Sequence, residues 1–411
     1  MRSRLFVGAV ACVLCASACG GVATGSKTSS SSTDCGNQVK IGAPYPLSGD
    51  WAENGQNSLQ GMEIAAAAIN ADGGIKNLKG AKIDIVSADT SSDNPAQAKT
   101  VTTNMLQGGD IAAIVGSYLS SLTLTTVVAT ESAHVPLITQ SYVDELTQKG
   151  YKYVFQIAPK ASAFGATTIK ALQGLYKNAG KPLKSIVIVG GDDASNKAQA
   201  DAVGTSAKTA GLTVADTVVF PDGLTDAQPI VGKIVAAKAD AIVLGGNLPD
   251  MSLIIKGVRA QGVNTPIAAP GGGGGLTPQF APTLGALSDG VMDLAAWNED
   301  LQLPGVKEAS AAYNKQYKQF MPQEAGESWA AVYEIAQVMN DKKTCDPQKI
   351  ADGLRTTEFT SGPASAIPPG KVAYDKSGAN KYITPVMVQW QSGDLKTIYP
   401  EKLATAKPIL D

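Results

Sequence analysis

The stretch IAAIVGSYLSSLT, residues 111–123, changes character at its centre. Its apolar first half, with β-branched residues, predicts a short strand. Gly116 then allows the backbone to turn, and the hydroxyl-bearing residues from Ser120 onward are typical of the start of a helix. The stretch therefore predicts a strand, a turn and a helix whose first amide N–H groups have no partner within the helix.

Similar strand candidates recur along the chain, separated by Ala-rich segments of helical period. Strands spaced by helix-sized intervals indicate parallel sheets covered by helices. At 411 residues the chain is long enough for two such bodies. The predicted fold class is α/β, with two lobes of parallel sheet flanked by helices. The strand candidates are residues 39–45, 81–89, 111–117, 135–141, 185–192, 212–220 and 239–247.

The two lobes are expected to interleave along the sequence. Candidate crossings between them lie near residues 155–162, 290–300 and 360–371, where strand-like runs meet Pro, Gly and small residues. These three crossings divide the folded chain into four segments. The first lobe is predicted to comprise 37–156 and 296–365, and the second 157–295 and 366–411.

The first eighteen residues have the features of an export signal, with arginines followed by a short apolar run that ends in small residues. The segment ASAC, residues 16–19, resembles the lipobox of bacterial lipoproteins, which predicts that Cys19 carries lipid. A plain secretory signal cut nearby is the alternative. Residues 19–36 are small and polar and predict a flexible tether. We therefore expect the protein at the outer face of the cell membrane, held there by its lipid.

Cysteine usage agrees with export. Outside the leader and Cys19, the chain has Cys35 and Cys345 alone, and two cysteines in an oxidising compartment predict a disulfide. Two unrelated free thiols are the alternative.

The composition argues against several classes of function. The net charge is −2 and no long charge run is present, which disfavours nucleic-acid binding. His134 is the single histidine, so neither a zinc site nor a Ser-His-Asp triad is expected. The run PGGGGGL, residues 270–276, lacks the Lys-Ser/Thr of a phosphate loop and predicts a mobile surface loop. No enzyme activity, cofactor or metal is expected.

The run IGAPYPLSGDWAENGQNSLQGMEIAAAAINADGGIKNLKG, residues 41–80, closely resembles the opening of type I periplasmic binding proteins of the leucine/isoleucine/valine-binding group. The resemblance continues through residues 114–123, 145–159 and 245–251. It implies two Rossmann-like lobes joined by three hinge crossovers, which close over a small ligand. It also implies delivery of that ligand to the permease and ATPase subunits of an ABC importer, by a protein that we expect to be a monomer.

The resemblance assigns the first-lobe side of a ligand site. It places Ser120 where a serine binds a ligand carboxylate, with Ser121 beside it at the positive end of a helix dipole. Ser141 and Tyr142, at a neighbouring strand end, are expected to assist. A simple helix-capping role for the serines is the alternative. Two aromatic residues, Trp51 and Tyr118, are candidate cleft residues on the same lobe.

The second-lobe side departs from the family pattern. Gly271 stands where amino-acid-binding members carry an acid that pairs with the ligand's ammonium, and Ser195 and Asn247 stand where aromatic residues are common. Enclosing an unpaired cation is costly. The ligand is therefore expected to be a carboxylate, an amide or an aromatic acid. If Asp192 or Asp193 replaces the missing charge, an ordinary hydrophobic amino acid becomes the ligand.

Two other classes of function remain open from the sequence. The same two-lobed body can act as a sensory lipoprotein that reports its ligand to a signalling partner. An enzyme built on this fold is the third class, and the shortage of catalytic groups disfavours it.

Overall fold

The computed structural model describes residues 35–92 and 94–410. The predicted leader, the lipidated Cys19 and the tether up to residue 34 lie outside the described residues. In the described part of the chain, none of the helices combines the length and apolar character needed to cross a membrane.

The first lobe is built on a five-stranded parallel sheet with the order β2-β1-β3-β4-β5. Three helices connect its first four strands. The strands are β1 (Gln38–Tyr45), β2 (Lys82–Asp89), β3 (Ile111–Val115), β4 (Leu137–Thr139) and β5 (Val154–Gln156), and the helices are α1 (Ala52–Ala71), α2 (Pro95–Gln107) and α3 (Ser120–Ala133).

The second lobe is built on a seven-stranded sheet with the order β14-β13-β10-β9-β8-β6-β7. Its strands are β6 (Ser185–Gly191), β7 (Thr213–Phe220), β8 (Ala241–Gly245), β9 (Ile267–Ala269), β10 (Met292–Ala295), β13 (Val386–Gln391) and β14 (Asp394–Tyr399). Its helices are α4 (Ala161–Asn178), α5 (Ala194–Thr209), α6 (Gln228–Ala237), α7 (Leu248–Ala260) and α8 (Phe280–Leu284).

The two sheets repeat one topology. In each, the second strand in sequence lies at the edge, followed by the first, third, fourth and fifth, and all of these pairs are parallel. The second sheet adds β13 and β14, which pair antiparallel beyond β10. The α/β fold class with parallel-sheet lobes is confirmed. The antiparallel strands are an addition that the sequence did not predict.

The chain passes between the sheets three times. The first passage joins β5 to α4, and the second follows β10 and leads into α9 (Val306–Tyr317), α10 (Gln323–Lys342) and α11 (Pro347–Thr356). The small pair β11 (Glu358–Phe359) and β12 (Val372–Ala373) comes next, and Ala379 then bridges to Gln156 at the end of β5. The third passage therefore lies between residues 380 and 386. The predicted lobe boundary at residue 365 lies earlier in the chain than this passage. The reason is that the strand pair β11–β12 and the bridge from Ala379 to Gln156 keep the chain beside the first lobe beyond residue 365.

A disulfide joins Cys35 to Cys345, the two cysteines expected to pair, with their Cα atoms 5.8 Å apart. This spacing lies in the usual range for such bonds. The bond ties the residues just before β1 to the loop between α10 and α11. Because α10 packs along α1, the bond fastens the start of the described chain to the first lobe.

Candidate functional site

Residues that follow the carboxyl ends of strands in both sheets meet around one small cavity of about 20 Å³. Open α/β sheets bind ligands at this end of their strands, so the position fits a binding site. The cavity holds about one water molecule in this arrangement. We call it the interlobe cavity, and its lining residues are Trp51, Tyr118, Leu119, Tyr142, Ser195, Asn196, Gly271 and Gly273.

Five of the nine residues predicted to bind ligand line the interlobe cavity. They are Trp51, Tyr118, Tyr142, Ser195 and Gly271. The structure does not bring the other four to the cavity wall. They are Ser120, Ser121, Ser141 and Asn247, and sequence reasoning missed Leu119, Asn196 and Gly273.

Ser120 is the first residue of α3 and follows Leu119, which lines the cavity. Its side chain is 2% exposed, and its Oγ accepts a hydrogen bond of 3.3 Å from the backbone N–H of Tyr142. No side chain caps this helix. The N–H groups of its first turn therefore have no intrahelical acceptor and carry the positive end of the helix dipole. Ser121 is half-buried in the same turn.

Ser141 acts inside the first lobe and not at the cavity. Its hydroxyl donates to the carbonyl oxygen of Tyr118 at 3.0 Å, accepts from Thr139 Oγ1 at 3.1 Å and contacts Thr123 Oγ1. Its polar capacity is therefore used by the protein. The contact with Tyr118 matters because Tyr118 has a left-handed φ of +67°, a conformation that costs a non-glycine residue free energy. Ser141 helps to hold the ring of Tyr118 at the cavity.

The aromatic side of the cavity comes mainly from the first lobe. The rings of Trp51 and Tyr118 lie 6.2 Å apart, and both side chains are almost completely buried. The Tyr142 ring makes an edge contact at 4.7 Å with Phe164 of α4, across the lobes. The Tyr142 hydroxyl accepts a 2.6 Å hydrogen bond from Gln323 at the start of α10. A flat or apolar group would therefore meet ring faces here.

The second lobe presents backbone to these rings. Gly271 and Gly272 have φ values of +139° and +69°. A Cβ atom on Gly271 would lie 2.7 Å from the Phe164 ring, and one on Gly272 would lie 2.6 Å from the Tyr142 hydroxyl. Both positions therefore require glycine. The prediction of a mobile surface loop for residues 270–276 was wrong, because the glycines are the means by which the backbone packs against aromatic rings.

Ser195 and Asn196 reach the cavity from the start of α5. Asp193 caps this helix by accepting hydrogen bonds from the backbone N–H groups of Ser195, at 2.8 Å, and Asn196, at 3.0 Å. Asp192 forms an ion pair with Lys197. The two aspartates that could have replaced the missing acid are thus already engaged in holding the helix start.

Asn247 serves as the N-cap of α7. Its Oδ1 accepts from the backbone N–H of Asp250 at 2.9 Å, and its Nδ2 donates to Asp250 Oδ2 at 2.8 Å. Asp250 in turn accepts hydrogen bonds from the backbone of Gly223 and Leu224. Asn247 is therefore a structural residue that braces a neighbouring loop. The capping pattern N-x-x-D in the sequence could have indicated this role.

Three buried carboxyl groups near the cavity were not predicted from sequence. Burial raises the pKa of Asp293 and Glu327 well above the ordinary range. Burial also raises the pKa of Glu324 to about 7, although Asn54 and Asn57 donate hydrogen bonds to it. Asp293 occupies a core position of a strand, and Glu324 and Glu327 occupy core positions of a helix. In the sequence, only their charge distinguishes them from the apolar residues at neighbouring core positions. Among the described residues, no group of His, Cys, Asp and Glu side chains is arranged to hold a metal ion.

Comparisons with known proteins agree with this geometry. A family model for periplasmic binding proteins matches residues 38–393. The Leu/Ile/Val-binding protein homolog 8 of Brucella melitensis is 30% identical over 381 residues, which are 90% of this chain and 92% of that protein. Homolog 7 of Brucella suis is 28% identical over 90% of this chain and 93% of its own length.

Solved structures share the fold. The substrate-binding protein LivJ of Streptococcus pneumoniae, in complex with isoleucine, superposes with a TM-score of 0.76 at 24% identity, covering 88% of this chain and 100% of its own. A solute-binding protein of R. palustris in complex with benzoate gives 0.74 at 17% identity, covering 91% and 98%. The chain therefore belongs to the periplasmic binding proteins, in the Leu/Ile/Val-binding group that residues 41–80 predicted. This is a family of binding proteins and not of enzymes, as expected.

Proposed function

We propose that this periplasmic binding protein is the substrate-binding component of an ABC importer. In this proposal it is a monomer, anchored by lipid on Cys19 to the outer face of the membrane, and it hands a small ligand to permease and ATPase subunits. The observation that carries the proposal is the interlobe cavity, where strand ends of two similar sheets face each other. A site divided between two bodies favours binding by closure.

Binding requires the two lobes to move apart and close again. The cavity of about 20 Å³ is too small for an organic ligand, so its walls must separate for one to enter. Closure is then favoured to the extent that the ligand binds the closed arrangement better than the open one. The three passages between the sheets are the places for this bending.

The first turn of α3 is the proposed contact for a carboxylate or another hydrogen-bond acceptor of the ligand. Its free N–H groups and the helix dipole favour negative charge. Trp51 and Tyr118 would then cover the apolar part of the ligand, and Gly271 and its neighbours would close over the other side.

The ligand proposed is a small carboxylate, an amide or an aromatic acid. No acid can occupy position 271, since its backbone packs on Phe164, and Asp192 and Asp193 are engaged elsewhere. None of the residues that line the interlobe cavity is acidic, so an enclosed ammonium group would have no partner in the lining, which is unfavourable. The benzoate complex of the R. palustris protein supports this choice, while the names of the Brucella relatives support the rival choice of leucine, isoleucine or valine.

A ligand screen tests the proposed class. Purified protein is heated with benzoate, benzamide, leucine, isoleucine or valine, and binding to the folded state raises the melting temperature. Titration calorimetry then measures the affinity of each hit. We expect benzoate or benzamide to bind more tightly than the three amino acids. Tight binding of an amino acid without binding of the other two compounds would establish the rival ligand.

Replacing the first residue of α3 tests the location of the site. Ser120→Ala removes the acceptor for the Tyr142 N–H and should weaken ligand binding by about fivefold, since one hydrogen bond contributes about 1 kcal/mol. Ser206→Ala, in the half-buried part of α5, is the matched control and should bind like the wild type. Equal affinities of the two variants would refute this location.

Transport and sensing are distinguished in cells. Deleting the gene should abolish uptake of the labelled ligand if the protein serves an importer. Normal uptake, together with loss of a transcriptional response to the ligand, would instead identify the sensory role.

A further inference from the structure

One hydrogen bond crosses the rim of the interlobe cavity. The indole Nε1 of Trp51, just before α1 in the first lobe, donates to Oδ2 of Asp222 at 3.2 Å. Asp222 lies in the second lobe, in the loop after β7. Because Trp51 also lines the cavity, this contact closes the rim over the space where a ligand would lie.

The loop that carries Asp222 is held in place by the second lobe. The backbone N–H groups of Gly223 and Leu224 donate to the carboxylate of Asp250 at 3.0 and 2.7 Å. A Cβ atom built on Gly191 would lie 3.0 Å from Asp222 Oδ1 and 3.2 Å from Asn196 Nδ2. The Asp222 carboxyl group is therefore beside the cavity-lining end of α5, in a fixed position relative to the second lobe.

Other carboxylates surround this group. Asp193 at the start of α5, Asp250 on α7 and Asp50 beside Trp51 face it from three segments, while Lys197 of α5 is paired with Asp192. Partial burial and then Asp193 are the main reasons that the pKa of Asp222 rises to about 6. A charged Asp222 is thus disfavoured in the closed arrangement.

We propose that Asp222 makes closure of the interlobe cavity sensitive to pH: its contact with Trp51 closes the rim, and its carboxyl group binds a proton more readily in the closed arrangement than in the open one. The inference rests on the lobe closure of the proposed function. The neutral carboxyl group keeps an oxygen that accepts the indole N–H. Separating the lobes exposes Asp222 to water and to its ordinary pKa, and the proton is released.

The sign of the pH dependence follows from this linkage. The pKa is higher in the closed form, so protonation favours closure, and this advantage is lost as the pH rises through about 6. The closing equilibrium should be about tenfold less favourable at pH 7 than at pH 5. Closure over an anionic ligand also gains, since a neutral Asp222 does not repel it.

The test follows the Trp51 indole without any ligand, so a wrong ligand class under the proposed function does not affect its outcome. The ¹⁵N–¹H indole resonance of Trp51, assigned with Trp51→Phe, is recorded from pH 5 to pH 8. In the wild type we expect it to titrate with a midpoint near 6. In Asp222→Asn, which is neutral and retains the acceptor, it should keep its low-pH position throughout.

Asp201→Asn, an exposed aspartate of α5, is the matched control and should titrate like the wild type. Circular dichroism at both ends of the range confirms that all variants are folded. A wild-type resonance that does not move, or one that moves equally in Asp222→Asn, would overturn the proposal.

Discussion

The two sheets share one strand order, yet two turns that reach the interlobe cavity from their carboxyl ends, one in each lobe, are chemically opposite. After β3 of the first lobe, the turn into α3 carries Tyr118, whose backbone carbonyl accepts a hydrogen bond from Ser141, and Ser120, whose hydroxyl accepts one from the backbone N–H of Tyr142. After β9 of the second lobe, the turn is Gly271–Gly275, with no side chains at all. At these two turns, therefore, the first lobe presents the Tyr118 side chain to the cavity, whereas the second lobe presents backbone.

A repeated topology thus determines where a site lies, whereas the loops determine its chemistry. Gly271 and Gly272 are constrained as strongly as the aromatic residues, because the rings of Phe164 and Tyr142 occupy the space where a Cβ atom would lie. The following predictions test the two halves of this comparison separately.

The largest effect is expected in the glycine wall. In Gly271→Ala the new methyl carbon would lie 2.7 Å from the Phe164 ring, on a residue whose backbone φ is +139°. Because both residues belong to the second lobe, the free energy of unfolding should fall by about 3 kcal/mol. Urea unfolding measures the change. Gly232→Ala in α6, where nothing lies within 4 Å of the new methyl group, is the control and should be neutral or stabilising. Equal stability of the two variants would contradict a packed wall.

The free energy of unfolding is expected to depend on pH through Glu324, a buried carboxyl group at the start of α10. The pKa of Glu324 is about 7 in the folded protein, raised by burial from an ordinary 4.5. The folded state therefore binds more protons than the unfolded state between these values, and stability falls as the pH rises. Between pH 5 and pH 8 this one group should remove about 2 kcal/mol.

Glu324→Gln keeps an acceptor for Asn54 and Asn57 but does not ionise, so its stability should vary less with pH than that of the wild type. Chemical unfolding at several pH values measures this. Glu308→Gln, at an exposed position of α9, should retain the wild-type profile. A steep profile that persists in Glu324→Gln would show that other groups cause it.

The smallest effect is expected at Ser141 in the first lobe. Ser141→Ala removes the donor to the Tyr118 carbonyl and should lower the free energy of unfolding by about 1 kcal/mol, with a modest loss of ligand affinity. The Ser206→Ala variant is again the control. A large loss of affinity at unchanged stability would mean that Ser141 contacts the ligand directly, as the resemblance implied, and does not only position Tyr118.

The sequence predicted most of the parallel strands because they are runs rich in β-branched and alanine residues between helical segments. The predicted strand at 185–192, for instance, is β6 (Ser185–Gly191). It did not predict β9, which has three residues, or the hairpin of β13 and β14, whose strands pair antiparallel at the edge. Runs this short, or placed after the repeating pattern has ended, carry little periodic signal.

The residues that line the interlobe cavity were predicted in part. Strand ends and family resemblance led to Trp51, Tyr118 and Tyr142, because these follow strands directly. They could not show that Ser141 and Asn247 use their polar atoms within the protein, since that depends on distances between segments far apart in sequence. Asp222 was missed for the same reason, because its importance comes from Trp51 in the other lobe.

The bond between Cys35 and Cys345 spans 310 residues of sequence but joins two neighbouring places on the first lobe. A force applied to the chain ahead of Cys35 is therefore shared between two covalent paths. One path runs along the backbone into β1, and the other runs through the disulfide into the loop between α10 and α11. In the proposed lipid-anchored protein, the chain ahead of Cys35 is therefore attached to one lobe at two covalent points, and neither point lies on a passage between the sheets.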